Sequence, residues 1–342
     1  ISTTSQNPLR LRSMQSSSLS HSIKNTSMRF HYTLILFICS VMLPQMAQSQ
    51  EDLLDMLSQE EEPLTQYTIA TFKGTRIVSG HTVETQAEGV MQMLIGHRFG
   101  RLNAGWRDLF GLDDATVRIG LDYGITDNLN IGIGRSSYTK IYDSHIKYRF
   151  LRQRYGAKPF PFTATAMASA MIRSDLRPFG NIDVPVSSRM YYTYQLMIAR
   201  KFGDWLSLQV SPTLVHRNLI QTTNDKNTIF SLGLGSSIKL TKAMRFNVEY
   251  YMILPSNQIQ SDIQGETVRN ALSLGIDLET GGHVFQLHFT NARGMHEKFL
   301  ASETTGRWLD GDIHFGFNVS RVFTMYDRYA KREKRSARKS SL

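Results

Sequence analysis

One pattern constrains this chain more than any other: segments of about ten residues in which apolar and polar side chains alternate, recurring from Gln66 to the aromatic Phe323. Asp312 to Phe323 (DIHFGFNVSRVF) shows it best. Ile313, Phe315, Phe317 and Val319 share one face, and Asp312, His314, Gly316, Asn318 and Ser320 share the other, the period of two that marks a strand. In a soluble sandwich the apolar face would pack on a second sheet. In an outer-membrane barrel it would meet lipid and the polar face would line a lumen. No window near 18 apolar residues occurs, so crossing by helices is not expected.

Thirteen such segments can be read along the chain. In Ala115 to Tyr123, Val117, Ile119, Leu121 and Tyr123 oppose Thr116, Arg118, Gly120 and Asp122; after a tight turn, Leu129, Ile131 and Ile133 oppose Asn130, Gly132 and Gly134. Tyr142 to Phe150 puts Asp143, His145, Lys147 and Arg149 on one face, and Met244 to Leu254 does the same with Arg245, Asn247, Glu249 and Tyr251. The first two segments, Gln66 to Val78 and Gly89 to Arg98, alternate imperfectly. Because barrels of this kind have even strand numbers, one of these two is expected to be a plug or a periplasmic piece. Short connections near 124–128, 203–205, 240–243 and 280–282, against longer ones near 152–161, 174–188, 218–227, 255–269 and 291–310, fit short periplasmic turns and long external loops. The expected fold is all-β: an antiparallel up-and-down transmembrane barrel of about 12 strands, spanning residues 66–323. Tyr123, Tyr138, Tyr142, Tyr191, Trp205, Tyr250 and Trp308, read as strand-end residues, would form aromatic girdles. Inward glycines suit a barrel of modest radius.

The ends of the chain read differently. Residues 28–49 have a positive start, an apolar run Thr33 to Leu43 and the small-x-small triplet Ala47-Gln48-Ser49, as in a secretory signal peptide. Residues 1–27 are a Ser-rich upstream extension, expected to be disordered. Residues 50–65 form an acidic linker or one short helix, and 324–342 a basic, disordered tail. The net charge of +10 resides in residues 1–49 and 328–342, which leaves residues 50–327 near neutral and gives no support to nucleic-acid binding. Cys39, the only cysteine, lies inside the signal's apolar core; the exported chain therefore has no disulfide, thiolate metal site or cysteine nucleophile.

Four runs add a resemblance: TFKGTRIVSGHTVET (Thr71 to Thr85), FGLDDATVRIGLDYGITD (Phe110 to Asp127), SPTLVHRN (Ser211 to Asn218) and ETGGHVFQLHFTN (Glu279 to Asn291). The chain resembles an uncharacterised family of outer-membrane β-barrel proteins, found mainly in Bacteroidota, continuously from about Gln66 to Phe323. The resemblance implies a barrel in the bacterial outer membrane and supplies no catalytic or ligand residues. The basic tail beyond Phe323 departs from it.

Parity places Arg118, Asp122, Asp143, His145, Lys147, Arg149, Arg245, Glu249, Asp277 and Glu279 in the lumen. Mixed charges there suit a narrow polar channel for a small solute. They equally suit a closed barrel, structural or scaffolding a partner complex, whose interior ions satisfy one another. His288, His314, Asp277 and Glu279 on the last strands form a speculative metal or haem set. Ser211 with His216, and Ser320 with His314, lack the G-x-S-x-G context of a hydrolase, so no enzyme and no cofactor is expected. The expected partners are outer-membrane lipid, the barrel-assembly machinery and a small polar solute.

Overall fold

In a computed structural model the described residues are 64–174, 183–220, 225–256, 259 and 266–326. The expected extension, signal peptide, most of the acidic segment and most of the basic tail lie outside them. The strands in chain order are β1 (Gln66–Tyr67), β2 (Val90–Arg101), β3 (Ala115–Gly124), β4 (Leu129–Ser136), β5 (Ile141–Leu151), β6 (Arg154–Tyr155), β7 (Thr163–Arg173), β8 (Met190–Phe202), β9 (Leu206–Arg217), β10 (Thr228–Lys239), β11 (Met244–Ile253), β12 (Ala271–Thr280), β13 (His283–Thr290) and β14 (His314–Thr324). β1 and β6 make a two-stranded ribbon. The other twelve close into one antiparallel barrel in which each strand pairs with its neighbours in sequence, and β14 closes on β2 with Val319 opposite Ile95.

Closure follows from the alternation. A membrane offers no water to satisfy an open edge, so every strand must be paired on both sides. In β5 the outward Tyr142, Ile146, Tyr148 and Phe150 are exposed toward the lipid side, and the inward Asp143, His145, Lys147 and Arg149 are buried. A one-residue slip would bury the aromatics and put four ionisable groups into hydrocarbon, which fixes the register. Alanine-rich β7 leaves an apolar groove of about 550 Å³ on the outer wall, where Ala166 lies between Tyr148 and Leu196 and Ala168 between Ile146 and Tyr194. Among the girdle candidates, Tyr191 is a correction: it sits at an inward position of β8 and is buried in the lumen.

The connections also correct one expectation. The segment 152–162 joins β5 to β7 at the same end as the short turns 125–128, 203–205, 240–243 and 281–282, while 102–114, between β2 and β3, is a long loop at the opposite end. Alternation of strand direction requires this, and loop length alone misassigned the end. Gln66 to Val78 does not become a wall strand. After β1 the chain turns into the barrel, and residues 71–84 run inside it before Gly89 leads into β2. This is the plug expected for one of the first two segments. From the opposite end, the segment 291–304, which carries the short helix α1 (Glu297–Ser302), folds inward and is also buried.

Candidate functional site

The lumen is filled by these two segments, and the side chains that hold them make up the candidate site. The plug is a hairpin. Its arms are joined by Ile77 N donating to Gly80 O (2.9 Å) and Thr82 N donating to Thr75 O (2.9 Å), with Arg76 bridged to His81. At its base, Thr71 N donates to the Glu84 carboxylate (2.6 Å). The wall then takes up the exposed main chain of the hairpin. Glu249 on β11 accepts the amides of Val78 (3.1 Å), Ser79 (3.2 Å) and Gly80 (2.8 Å). Three donors on one carboxylate is the kind of arrangement that lets an ionised group be buried. Gln209 on β9 accepts from Val83 N (2.9 Å) and donates to His81 O (2.8 Å). Gln286 donates to Ile77 O (2.6 Å) and Asn318 to Val78 O (2.7 Å). Phe72, Ile77 and Val83 add a small apolar seam against Met167, Met197 and Ala199 of the wall.

The cap is held more by packing. Phe299 joins Ile141, Met171 and Tyr191, while Leu300, Ala301 and Ala292 join Val215, Tyr251 and Ala271. Lys298 lies 4.0 Å from the centre of the Tyr191 ring and donates to Glu303 (2.5 Å). Plug and cap meet at mid-lumen. Glu297 of the cap pairs with Arg76 of the plug and lies 3.1 Å from His81 Nε2. Burial alone would raise the Glu297 carboxyl, but the Arg76 guanidinium and His81 outweigh it and hold the group well below the usual carboxylate range. Burial, reinforced by Arg76, pushes the His81 imidazole well below its ordinary value. His296 Nε2 of the cap donates to the Asp143 carboxylate (2.9 Å), which also accepts from Arg118 (2.5 Å). One wall residue spans both intruders: Arg98 on β2 donates to Ser79 Oγ (2.9 Å) and to the carbonyls of Ala292 (2.5 Å) and Gly294 (3.2 Å), with His288 Nε2 3.0 Å away. Two cavities of about 30 and 10 Å³ lie between plug and wall, room for a water or two.

The residues singled out by parity fall as follows. Arg118, Asp122, Asp143, His145, Lys147, Arg149, Arg245, Glu249 and Asp277 are buried on the inner face. Glu279 is at the rim, half-exposed, paired with Lys73. Few face open space: Lys147 donates to Glu84 O (2.5 Å), Arg149 to Asp127 O (2.7 Å) and Arg245 to Asp204 O (3.3 Å), and Asp122 lies 3.6 Å from His145. The four residues of the candidate metal set lie apart. His288 is beside Arg98, His314 faces Phe99 O (2.9 Å), Asp277 accepts from Gln286 (2.6 Å) and Glu279 lies at the rim. Each has taken a protein partner at a different height, and among the described residues no group of three such side chains converges. Ser211 and His216 are on opposite faces of β9, inward and outward. Ser320 and His314 are six residues apart on one strand, roughly 20 Å at about 3.3 Å per residue.

Arg76, His81, Arg98, His296 and Glu297 carry the centre of the lumen and were not singled out by parity. His81, His296 and Glu297 lie in segments without periodicity, and Arg76 in the imperfectly alternating Gln66 to Val78. Arg98 sits on β2, where the inward Leu94 blurs the alternation. Its signal was the spacing Gln92, Gly96, Arg98 on one parity. The inward glycines also acquire another role. Rather than widening a lumen, they give bulky neighbours room: a side chain at Gly132 would collide with His145, at Gly134 with Arg118 and Asp143, and at Gly233 with Tyr251.

Among solved structures the chain is similar to the NanC porin (7% identity, TM-score 0.43, covering 68% of this chain and 98% of that one) and to the KdgM porin (8%, 0.38, 69% and 99%). It is also similar to an outer membrane channel from Pseudomonas putida F1 (11%, 0.39, 70% and 98%). No curated protein matches it. The sequence resemblance is borne out at the level of the family: a model covers residues 72–323, and the chain belongs to the family described as membrane bound beta barrel domain (DUF5777).

Proposed function

We propose that this membrane-bound barrel is a gated outer-membrane passage for a small polar solute, shut in the present conformation by plug and cap. The observation that carries this is the way the plug tip is held. The wall grips it through hydrogen bonds to its main chain, contacts that water or a polar solute can replace one for one. A lumen built only for stability would gain more from apolar packing of similar volume. The Arg76–Glu297 contact ties the two gates together, since withdrawal of the plug leaves Glu297 a buried, unpaired charge and so weakens the cap. The short-turn end, from which the plug enters, faces the periplasm in this account. Its partners are the lipid around the barrel and the machinery that inserts it; no catalytic step is involved.

A permanently closed barrel is the second reading, favoured by how little space the lumen retains. Tethering separates the two. A side chain at Gly275 would come 3.2 Å from Val78 Cγ2, close enough for a disulfide between Val78→Cys and Gly275→Cys. In planar bilayers the reduced double variant gives conductance steps and the oxidised one none, with recovery on adding reductant. Absence of steps from both the wild type and the reduced variant would establish the closed barrel instead.

A further inference from the structure

Besides Arg98 on Ser79 Oγ and the apolar contacts of Ile77 and Val83, the wall holds the plug tip by its main chain. Glu249 takes three consecutive amides, Gln209 takes one amide and gives one to a carbonyl two residues away, and Gln286 and Asn318 each give a carboxamide N–H to a carbonyl. Every one of these bonds ends on a main-chain atom. The register places them in two rows. Gln209, Gly235 and Glu249 are directly opposite one another across β9, β10 and β11, and Gln286 is opposite Asn318 across β13 and β14. Where an inward side chain would block the groove, a glycine stands instead: Ile77 lies over Gly235 and Val78 over Gly275. The wall therefore provides donors and acceptors spaced for a peptide backbone, with two gaps for small aliphatic side chains.

We infer that the inner wall is a peptide-backbone binding site, occupied in the shut state by the chain's own residues 77–83, and that the solute taken when the plug withdraws is a short peptide. The gated passage proposed above is needed only to bring such a solute to the site; binding itself stands or falls separately. An amide-bearing ligand satisfies both halves of the pattern, the three-donor cluster that Glu249 accepts and the carbonyls that Gln209, Gln286 and Asn318 serve. A polyol's hydroxyls can donate to Glu249 and accept from the carboxamides one at a time, but they do not carry three amide donors and three carbonyl acceptors at the spacing of the 77–83 main chain.

The test uses the full chain in detergent with N-acetyl-trialanine amide as probe and sucrose as control. In the wild type, the peptide at millimolar concentration speeds hydrogen exchange at the amides of Val78, Ser79 and Gly80 by about threefold or more, because it competes for the wall and stabilises the plug-withdrawn state; sucrose does not. In Gly80→Leu, whose side chain would begin 2.5 Å from Tyr251 Oη and so expel the tip, the peptide binds directly, and adding Gln209→Leu weakens that binding about tenfold. Should G80L fail to fold, the exchange measurement in the wild type decides alone. Equal effects of peptide and sucrose, or peptide binding to G80L that is indifferent to Q209L, would overturn the inference. Peptide binding by a G80L barrel that never conducts would sink the passage and leave the binding site standing; conduction without peptide preference would do the reverse.

Discussion

The hairpin at 75–82 and the helix-bearing segment at 291–304 enter one lumen from opposite ends, yet the wall holds them by different means. The hairpin tip is held through its main chain by carboxylate and carboxamide groups. The cap is held mainly through side chains, with Phe299, Leu300 and Ala301 set into apolar positions of β5, β7, β8, β9, β11 and β12 and only Arg98 reaching its main chain, at Ala292 O and Gly294 O. The anchors differ too. The cap is continuous with β13 and β14 at its two ends, whereas the plug's upstream end is fixed by the two residue pairs of the β1–β6 ribbon and by Thr68 N donating to Gln153 O (2.9 Å). Polar contacts exchange with water at small net cost, and apolar burial does not. The plug is thus the part suited to leave, and the cap the part suited to stay until its one charged link to the plug is cut.

That difference can be broken or sharpened by substitution. Glu297→Ala removes the carboxylate shared by Arg76 and His81. It leaves a buried guanidinium unpaired, costs about 3–5 kcal/mol, and should speed hydrogen exchange in plug and cap together; acceleration in one alone would deny the link. Phe299→Ala takes a large side chain out of the cluster with Ile141, Met171 and Tyr191, at about 3 kcal/mol. Its effect is expected at the cap amides, with those of residues 78–83 unchanged. Gln209→Leu does the converse. Two plug contacts are lost for about 1–3 kcal/mol, and exchange rises at Val83 while the cap remains protected.

Acid gives the smallest effect, and its sign follows from burial. A free histidine titrates near 6.5, and burial with Arg76 beside it sets His81 well below that when the plug is seated. The contribution of His81 is therefore complete above about pH 6.5 and declines as the pH falls below it, by up to about 1.4 kcal/mol per unit. His296 is also lowered by burial, but its bond to Asp143 restores part of the shift, so the cap's loss levels off sooner. Between pH 7 and 5 plug exchange should accelerate more than cap exchange; the opposite order would mean that His81 is not the sensitive group.

The wall was legible in the sequence and its contents were not. Period two assigns Arg118, Asp143, Lys147 and Glu249 inward from local information alone, because a strand in a membrane has one lipid face and one other. What those residues bind depends on contacts across long stretches of chain. Arg76 with Glu297, and Ser79 with Glu249, are separated by 221 and 170 residues, and neither plug nor cap has a periodicity to announce it. The imperfect alternation of Gln66 to Val78 was the one local sign that this piece does not join the wall. His288 and His314 illustrate the limit from the other side: correct parity put both in the lumen, but the partners that occupy them, Arg98 and the Phe99 carbonyl, are set by the closure of β14 on β2.

The central claim is that the hairpin, and not the barrel itself, shuts the lumen. Single-channel recording of purified Gly80→Leu beside the wild type tests it most directly, since the change leaves every wall residue in place. Frequent, long-lived steps from G80L against rare ones from the wild type are the predicted result. A correctly folded G80L barrel as silent as the wild type would contradict the account.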